Sequence, residues 1–217
     1  MPELELPEYG KHIVFLGSTG SGKSVLASAM LRYYDAFFAI DTQDSLDIPG
    51  KVLANPRHLG LLLRFYPKLH YVPKPEFIER YYFEHVFRTL LNSSQKKKPR
   101  PRIIYIDEIY HVGYGMSFPA WLPKAITTAR QRKLSFWIST QRPRAIPVPV
   151  MSEASKIIVF YLSKGDDIKL VSEFARSDKK GLFKALSEQE DDYSFIVVDN
   201  RKGTWSKYPK LKLNEGE

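Results

Sequence analysis

The 217-residue chain contains no cysteine, which excludes disulfide bonds and metal sites built on thiolates. It also has no stretch near the roughly 18 uninterrupted apolar residues that a membrane-spanning helix needs. The segment Met1 to Glu5 lacks the basic and then apolar pattern of a signal peptide. These three absences predict a cytosolic location without a membrane span.

Acidic residues are in the minority, with 24 Asp and Glu against 33 Lys and Arg, for a net charge of +9. A basic excess of this size favours polyanionic partners, most often nucleic acid. The alternative is an enzyme whose charge has no bearing on its partner. The hydrophobic fraction of 43% and the charged fraction of 26% are ordinary for a globular protein.

Only 12 glycines occur in the chain, yet three of them fall within one octet that follows the apolar run 13–16. The octet is Gly17-Ser18-Thr19-Gly20-Ser21-Gly22-Lys23-Ser24. Its glycines let the backbone turn its N–H groups toward phosphates, Lys23 reaches the β- and γ-phosphates, and the Ser24 hydroxyl binds Mg²⁺. We therefore predict an ATP site over Gly17 to Ser24 and Val25, the alternative being a glycine-rich turn that binds nothing.

Two further polar groups follow apolar strand patterns. Asp107 and Glu108 come after residues 103–106, and Gln141 comes after residues 134–139. An aspartate at such a strand end can hold Mg²⁺, and an adjacent glutamate can activate the attacking water, which favours hydrolysis. Gln141 could sense the γ-phosphate. Taken alone, either group could be an ordinary strand end.

Strand and helix patterns alternate along the chain, which predicts an α/β fold: a mostly parallel central sheet with helices on both faces and a C-terminal β-hairpin. We expect one domain over 1–217, with an irregular lead-in at 1–10 and the hairpin and tail at 190–217. Predicted strands are 12–16, 36–41, 52–53, 70–72, 102–108, 134–139, 156–162, 193–198 and 204–208, and predicted helices are 23–34, 58–66, 76–91, 118–133, 166–175 and 181–186.

The combination of Gly17–Ser24, Asp107-Glu108 and Thr140-Gln141-Arg142-Pro143 resembles the FtsK/HerA superfamily of DNA-pumping P-loop ATPases over roughly 12–175. Within it, the short chain is most similar to the genome-packaging ATPases of tailless icosahedral double-stranded DNA viruses. The resemblance implies catalysis by Lys23 and Glu108 with ATP and Mg²⁺. It also implies Gln141 as the family's strand-end glutamine.

The resemblance further implies an arginine finger at Arg130, with Arg132 as the rival, acting on the ATP of a neighbouring subunit. It implies a ring of five or six copies that moves double-stranded DNA, capsid or capsid-membrane partners, and a place in the host cytoplasm or with the virion. Loops at 96–102, 113–116 and 142–144 are candidates for contact with DNA.

Two other functions remain open from the sequence. One is a phage assembly or secretion ATPase that acts on protein, and the other is a P-loop kinase for a small molecule. Glu108 and Gln141 argue against the kinase. Stimulation of ATP turnover by duplex DNA would separate the translocase from both alternatives.

Overall fold

A computed structural model describes residues 5–94, 100–113, 118–174 and 178–210. Within these ranges, nine strands form one sheet in the order β3-β4-β2-β5-β6-β1-β7-β8-β9. The first seven in this order are parallel, while β8 and β9 run antiparallel to their neighbours. The strands are β1 His12–Leu16, β2 Phe37–Asp41, β3 Lys51–Leu53, β4 Lys68–Tyr71, β5 Arg102–Asp107, β6 Leu134–Thr140, β7 Ala154–Val159, β8 Phe195–Asp199 and β9 Thr204–Tyr208.

Helices cover both faces of the sheet, unequally. On one face, α1 packs over residues such as Ile13 and Phe15 of β1. On the other face, the remaining described helices pack over the alternate residues Val14 and Leu16. The helices are α1 Lys23–Arg32, α2 Leu59–Phe65, α3 Arg80–Ser93, α4 Ile109–Val112, α5 Trp121–Ala129, α6 Val148–Glu153, α7 Gly165–Ser172 and α8 Lys179–Ser187.

The central strands β1, β2, β5 and β6 are buried along their whole length. A parallel strand covered on both faces needs apolar residues at successive positions, and this explains their continuous hydrophobic runs. Because these strands are parallel, their carboxyl ends meet at one edge of the sheet. The predicted parallel sheet, its flanking helices and the terminal hairpin are confirmed.

Several predicted boundaries were wrong. The helix predicted from residue 76 begins at Arg80, because Pro75–Phe77 forms a separate 3₁₀ turn. The helix predicted over 118–133 ends at Ala129 and tightens into a 3₁₀ turn over Arg130–Arg132. Helices α4 and α6 were not predicted. No helix in the described part of the chain is long and apolar enough to cross a membrane.

Candidate active site

The glycine-rich octet joins the carboxyl end of β1 to the first residue of α1. Gly20 and Gly22 have φ angles of 78° and 100°, in the left-handed region that favours glycine. A Cβ atom on Gly17 would lie 2.6 Å from Oγ of Ser21 and 2.7 Å from Cβ of Phe160. The loop therefore needs glycine for its backbone path, and it faces the positive end of the α1 dipole.

Lys23 is buried inside this loop. Its Nζ donates to the carbonyl oxygens of Gly17 at 2.9 Å and Ser18 at 2.8 Å. Burial lowers the pKa of the Lys23 amine, while the carboxylates of Glu108 and Asp107 act in the opposite direction. When a phosphate binds, its charged oxygens could replace these carbonyl oxygens as the hydrogen-bond partners of the Lys23 amine.

Asp107 is the last residue of β5 and accepts hydrogen bonds from three hydroxyl groups. Ser24 and Tyr105 donate to its Oδ1 at 3.0 and 2.8 Å, and Ser45 donates to its Oδ2 at 3.3 Å. Burial raises the pKa of the Asp107 carboxyl, outweighing the hydrogen bonds from Tyr105 and Ser24. A hydroxyl and a buried carboxylate side by side are hard oxygen ligands, so Ser24 and Asp107 fit Mg²⁺.

Glu108 joins the end of β5 to the end of β6. Its backbone is left-handed, with φ 50°, and its side chain is buried. Oε1 accepts a hydrogen bond from Oγ1 of Thr140 at 2.7 Å, and Oε2 accepts one from the backbone N–H of Gln141 at 3.0 Å. These two bonds hold the carboxylate in one orientation at the edge of the sheet.

Gln141 connects this carboxylate to the glycine-rich loop. Its Oε1 accepts a hydrogen bond from the hydroxyl of Thr19. Glu108, Thr140, Gln141 and Thr19 therefore form one hydrogen-bonded group, partly through backbone N–H, that links the ends of β1, β5 and β6. An amine, a hydroxyl beside a carboxylate, a second carboxylate and an amide at one sheet edge can bind a triphosphate and activate water.

Comparison with known proteins adds to this geometry. No protein-family model matches the sequence, and no curated protein matches it. Solved structures do match. The genome-packaging NTPase B204 from Sulfolobus turreted icosahedral virus 2, in complex with AMPPCP, is similar with a TM-score of 0.73 at 18% identity, over 93% of this chain and 98% of that chain.

Two further structures are similar. VirB4 of Thermoanaerobacter pseudethanolicus has a TM-score of 0.68 at 10% identity, over 94% of this chain and 90% of that chain. The conjugation coupling protein TcpA of pCW3 has a TM-score of 0.54 at 16% identity, over 87% of this chain and 57% of that chain. The chain therefore shares the fold of these structures, a P-loop NTPase fold.

This fold brings most of the sequence-predicted site residues together, but not the predicted arginine finger. Arg130 is exposed and precedes the amino end of β6, whereas Gln141 follows its carboxyl end. The seven residues of β6 span about 23 Å at roughly 3.3 Å each. Arg132, the rival candidate, donates from Nη1 to the carbonyl of Leu91 at 2.8 Å.

The candidate DNA loops are only partly described. Residues 96–99 and 114–116 of the first two loops lie outside the described residues. In the third loop, the guanidinium of Arg142 lies 4.5 Å from the ring centre of Tyr110, and Arg144 forms an ion pair with Asp166 at 2.9 Å. Arg142 and Arg144 therefore have protein partners, and their contact with DNA stays a prediction.

Sequence analysis missed a third carboxylate, which lies next to this site. Asp41 ends β2 and lies opposite Asp107 in the strand register. Oδ2 of Asp41 is 3.0 Å from Nε2 of His70 and accepts the backbone N–H of Ser45 at 2.9 Å. The hydroxyl of Ser45 reaches Asp107. A strand pattern ending in a carboxylate was the available signal, but nothing local places β2 beside β5.

The two aspartates respond to burial in opposite ways. Burial acts to raise the pKa of the Asp41 carboxyl, but hydrogen bonds from His70 and the backbone of Leu46 outweigh it and hold the pKa below its ordinary value of 3.8. Ionised Asp41 therefore stabilises the fold above that pH, and this stability is lost as the pH falls through the folded pKa. The pKa of Asp107 is raised, so its ionised carboxylate destabilises the fold, and protonation removes this effect.

We therefore expect Asp41→Asn and Asp107→Asn to change stability in opposite directions. At pH 7, Asp41→Asn loses charge-assisted hydrogen bonds and should lower the free energy of unfolding by about 2 kcal/mol. Asp107→Asn keeps a side-chain acceptor without a buried charge and should raise it. Urea denaturation of the nucleotide-free protein measures both changes, and a loss of stability in Asp107→Asn would contradict the assignment.

Proposed function

We propose that the protein is a Mg²⁺-dependent ATPase that moves double-stranded DNA. The observation that carries ATP hydrolysis is the convergence of Lys23, Ser24, Asp107, Glu108 and Gln141 at the carboxyl edge of the sheet. B204, a genome-packaging NTPase solved with AMPPCP and with ATP-gammaS, shares this fold over nearly its whole length. Its likeness supports ATP as the nucleotide.

The side chains divide the work of hydrolysis. Lys23 and the loop amides bind the phosphates, and Ser24 with Asp107 would hold Mg²⁺, which neutralises charge on the phosphate oxygens when bound. Glu108 accepts the proton of the attacking water. Its carboxylate has about four acceptor positions, and three are used by the Thr140 hydroxyl and the backbone N–H groups of Gln141 and Tyr110, so one position remains for water. Gln141, bonded to Thr19 of the loop, reports whether the γ-phosphate is present.

Several observations support duplex DNA as the substrate that is moved. The B204 structures are described as a genome-packaging NTPase and a DNA-packaging ATPase, and TcpA is described as a conjugation coupling protein. The net charge of +9 suits a polyanion. We propose a viral genome-packaging motor that works in the host cytoplasm and meets capsid or capsid-membrane proteins.

A ring of copies completes the site. Arg130 is exposed and lies at the sheet edge opposite its own P-loop, so it cannot reach its own γ-phosphate. It can act only on the ATP of a neighbouring copy, as an arginine that stabilises transition-state charge. We propose that hydrolysis takes place at subunit interfaces in a pentamer or hexamer.

The proposed function is tested by measuring ATP turnover with and without duplex DNA, alongside the oligomeric state. We expect Mg²⁺-dependent hydrolysis that rises when duplex DNA is added, and a ring in the presence of ATP and DNA. Turnover that a protein substrate raises and duplex DNA does not would favour the secretion alternative. Absence of both DNA binding and stimulation would overturn the translocase proposal.

The role of Arg130 has its own test. We expect Arg130→Ala to bind ATP normally but to lose about 1,000-fold in kcat, the effect typical of a missing arginine finger. Arg132→Ala is the matched control and should retain most activity, because Arg132 is bonded to the carbonyl of Leu91.

Mixing two inactive variants tests action between subunits. Arg130→Ala supplies an intact Glu108, and Glu108→Gln supplies an intact Arg130, so mixed rings should recover part of the activity that neither variant has alone. Recovery would require contact between copies. If the mixture stays inactive while both variants form rings, Arg130 is not the arginine finger. The same conclusion follows if Arg132→Ala, rather than Arg130→Ala, shows the large loss of kcat.

A further inference from the structure

The site residues indicate how a triphosphate bound in the P-loop would be oriented along the sheet edge. Ser24 and Asp107 would hold Mg²⁺ beside the terminal phosphates, and Glu108 and Gln141 face the same end. These groups lie toward β5 and β6, on one side of β1. The nucleoside of a bound triphosphate must then extend to the other side of β1, toward β7 and β8.

Two aromatic side chains lie on that side of the loop. A Cβ atom on Gly22 would lie 3.3 Å from Cε1 of Phe160 and 3.4 Å from Cδ1 of Tyr193. Phe160 is buried against Phe195, with ring centres 5.3 Å apart. Tyr193 is instead 56% exposed, so much of its side chain is open to solvent beside the P-loop.

Polar contacts hold Tyr193 in this place. Its φ of 66° is in the left-handed region, which non-glycine residues rarely adopt. The side-chain amide of Gln189 donates to the carbonyl of Ser194 at 2.9 Å, and Asp192 accepts the backbone N–H of Ser194 at 2.9 Å. Both bonds fix the backbone of Ser194, directly after a tyrosine whose ring is largely exposed.

The exit of β7 ties this region to the P-loop. The backbone N–H of Phe160 donates to the carbonyl of Leu16 at 2.8 Å, and the N–H of Ser18 donates to the carbonyl of Tyr161 at 2.8 Å. Backbone hydrogen bonds thus hold Phe160, the inner ring of the aromatic pair, next to the phosphate loop. A planar group extending from the phosphates toward β7 meets the Tyr193 ring.

We propose that Tyr193 is the stacking face for the base of the bound nucleotide and gives the site a preference for purines over pyrimidines. This inference rests on the triphosphate binding proposed above. Stacking on an aromatic ring contributes to the binding free energy of every base, and this contribution grows with the area of the stacked rings. Purine nucleotides therefore bind more tightly than pyrimidine nucleotides at this ring.

The experiment compares ligands with and without a base. Calorimetry measures the Kd of ATP, CTP and inorganic triphosphate for the wild type, Tyr193→Ala and Tyr193→Phe. We expect Tyr193→Ala to weaken ATP about 10-fold, to narrow the difference between ATP and CTP, and to leave inorganic triphosphate unchanged. Tyr193→Phe keeps the ring and should bind as the wild type does.

A matched control and the remaining outcomes make the result decisive. Tyr33→Ala removes another exposed tyrosine, which follows the far end of α1, and should change no Kd. Equal weakening of ATP and inorganic triphosphate by Tyr193→Ala would show a structural role and overturn the stacking proposal. No effect on ATP would overturn it while leaving the proposed ATPase intact. If the wild type bound neither ATP nor inorganic triphosphate, the proposed ATPase and the proposed stacking role would both be overturned.

Discussion

Glu108→Gln is expected to lower kcat for ATP hydrolysis by at least about 100-fold while ATP still binds, because a general base typically contributes factors of about 10² to 10⁴. Glutamine cannot accept the proton of the attacking water. It keeps a side-chain oxygen that can accept the Thr140 hydroxyl hydrogen bond now made at 2.7 Å. Single-turnover hydrolysis measures the chemical step, and equilibrium binding of ATP measures the Kd.

The structure supplies a control for this prediction, since Glu108 also ties β5 to the end of β6. Thr140→Val removes the hydroxyl that donates to Oε1 but leaves the carboxylate and its bond from the Gln141 backbone at 3.0 Å. We expect only a severalfold loss of kcat in this variant. If Thr140→Val were as inactive as Glu108→Gln, Glu108 would act by positioning the strand end rather than as the base.

Lys23→Met is expected to weaken ATP binding by about 100-fold, the second large effect. The amine lies within the P-loop, on the carbonyls of Gly17 and Ser18. It would contribute charge-assisted hydrogen bonds to phosphate oxygens, each worth about 1.5–3 kcal/mol. Methionine has a similar length and can fill the same buried space without the charge. Calorimetric titration with ATP gives the Kd.

Lys207→Met is the matched control for Lys23→Met. It removes the same charge from an exposed position on β9 and should leave the Kd unchanged. Thermal unfolding of both variants checks that each is folded. An unchanged Kd in a folded Lys23→Met protein would remove Lys23 from phosphate binding and contradict the proposed site.

Local patterns predicted the parts of the site that are continuous in the chain. The octet 17–24 contains the turn, the amine and the hydroxyl within one loop and one helix start, so neighbouring residues decide its conformation. Asp107 and Glu108 follow an apolar strand directly. Helix α6 was missed because Pro147 and Pro149 indicate a break, yet the structure places Pro147 at the N-cap and Pro149 in the first turn, where proline is tolerated.

Features that depend on strand order escaped prediction. Asp41 approaches Asp107 only because β2 lies beside β5, and His70 joins them because β4 lies on the other side of β2. Along the sequence, His70 is 29 positions and Asp107 is 66 positions from Asp41. No periodicity or spacing reports such a contact.

The amino-acid sequence by itself determined the P-loop, the polar strand ends and the alternation of strands with helices, because each depends on residues within a few turns of one another. The tertiary structure decided which strand ends meet. It joined Glu108 to Gln141, added Asp41 beside the site, placed Arg130 at the opposite edge and set Tyr193 beside Gly22. The crossovers between parallel strands set these distances, and their lateral order is a property of the packed sheet rather than of any one segment.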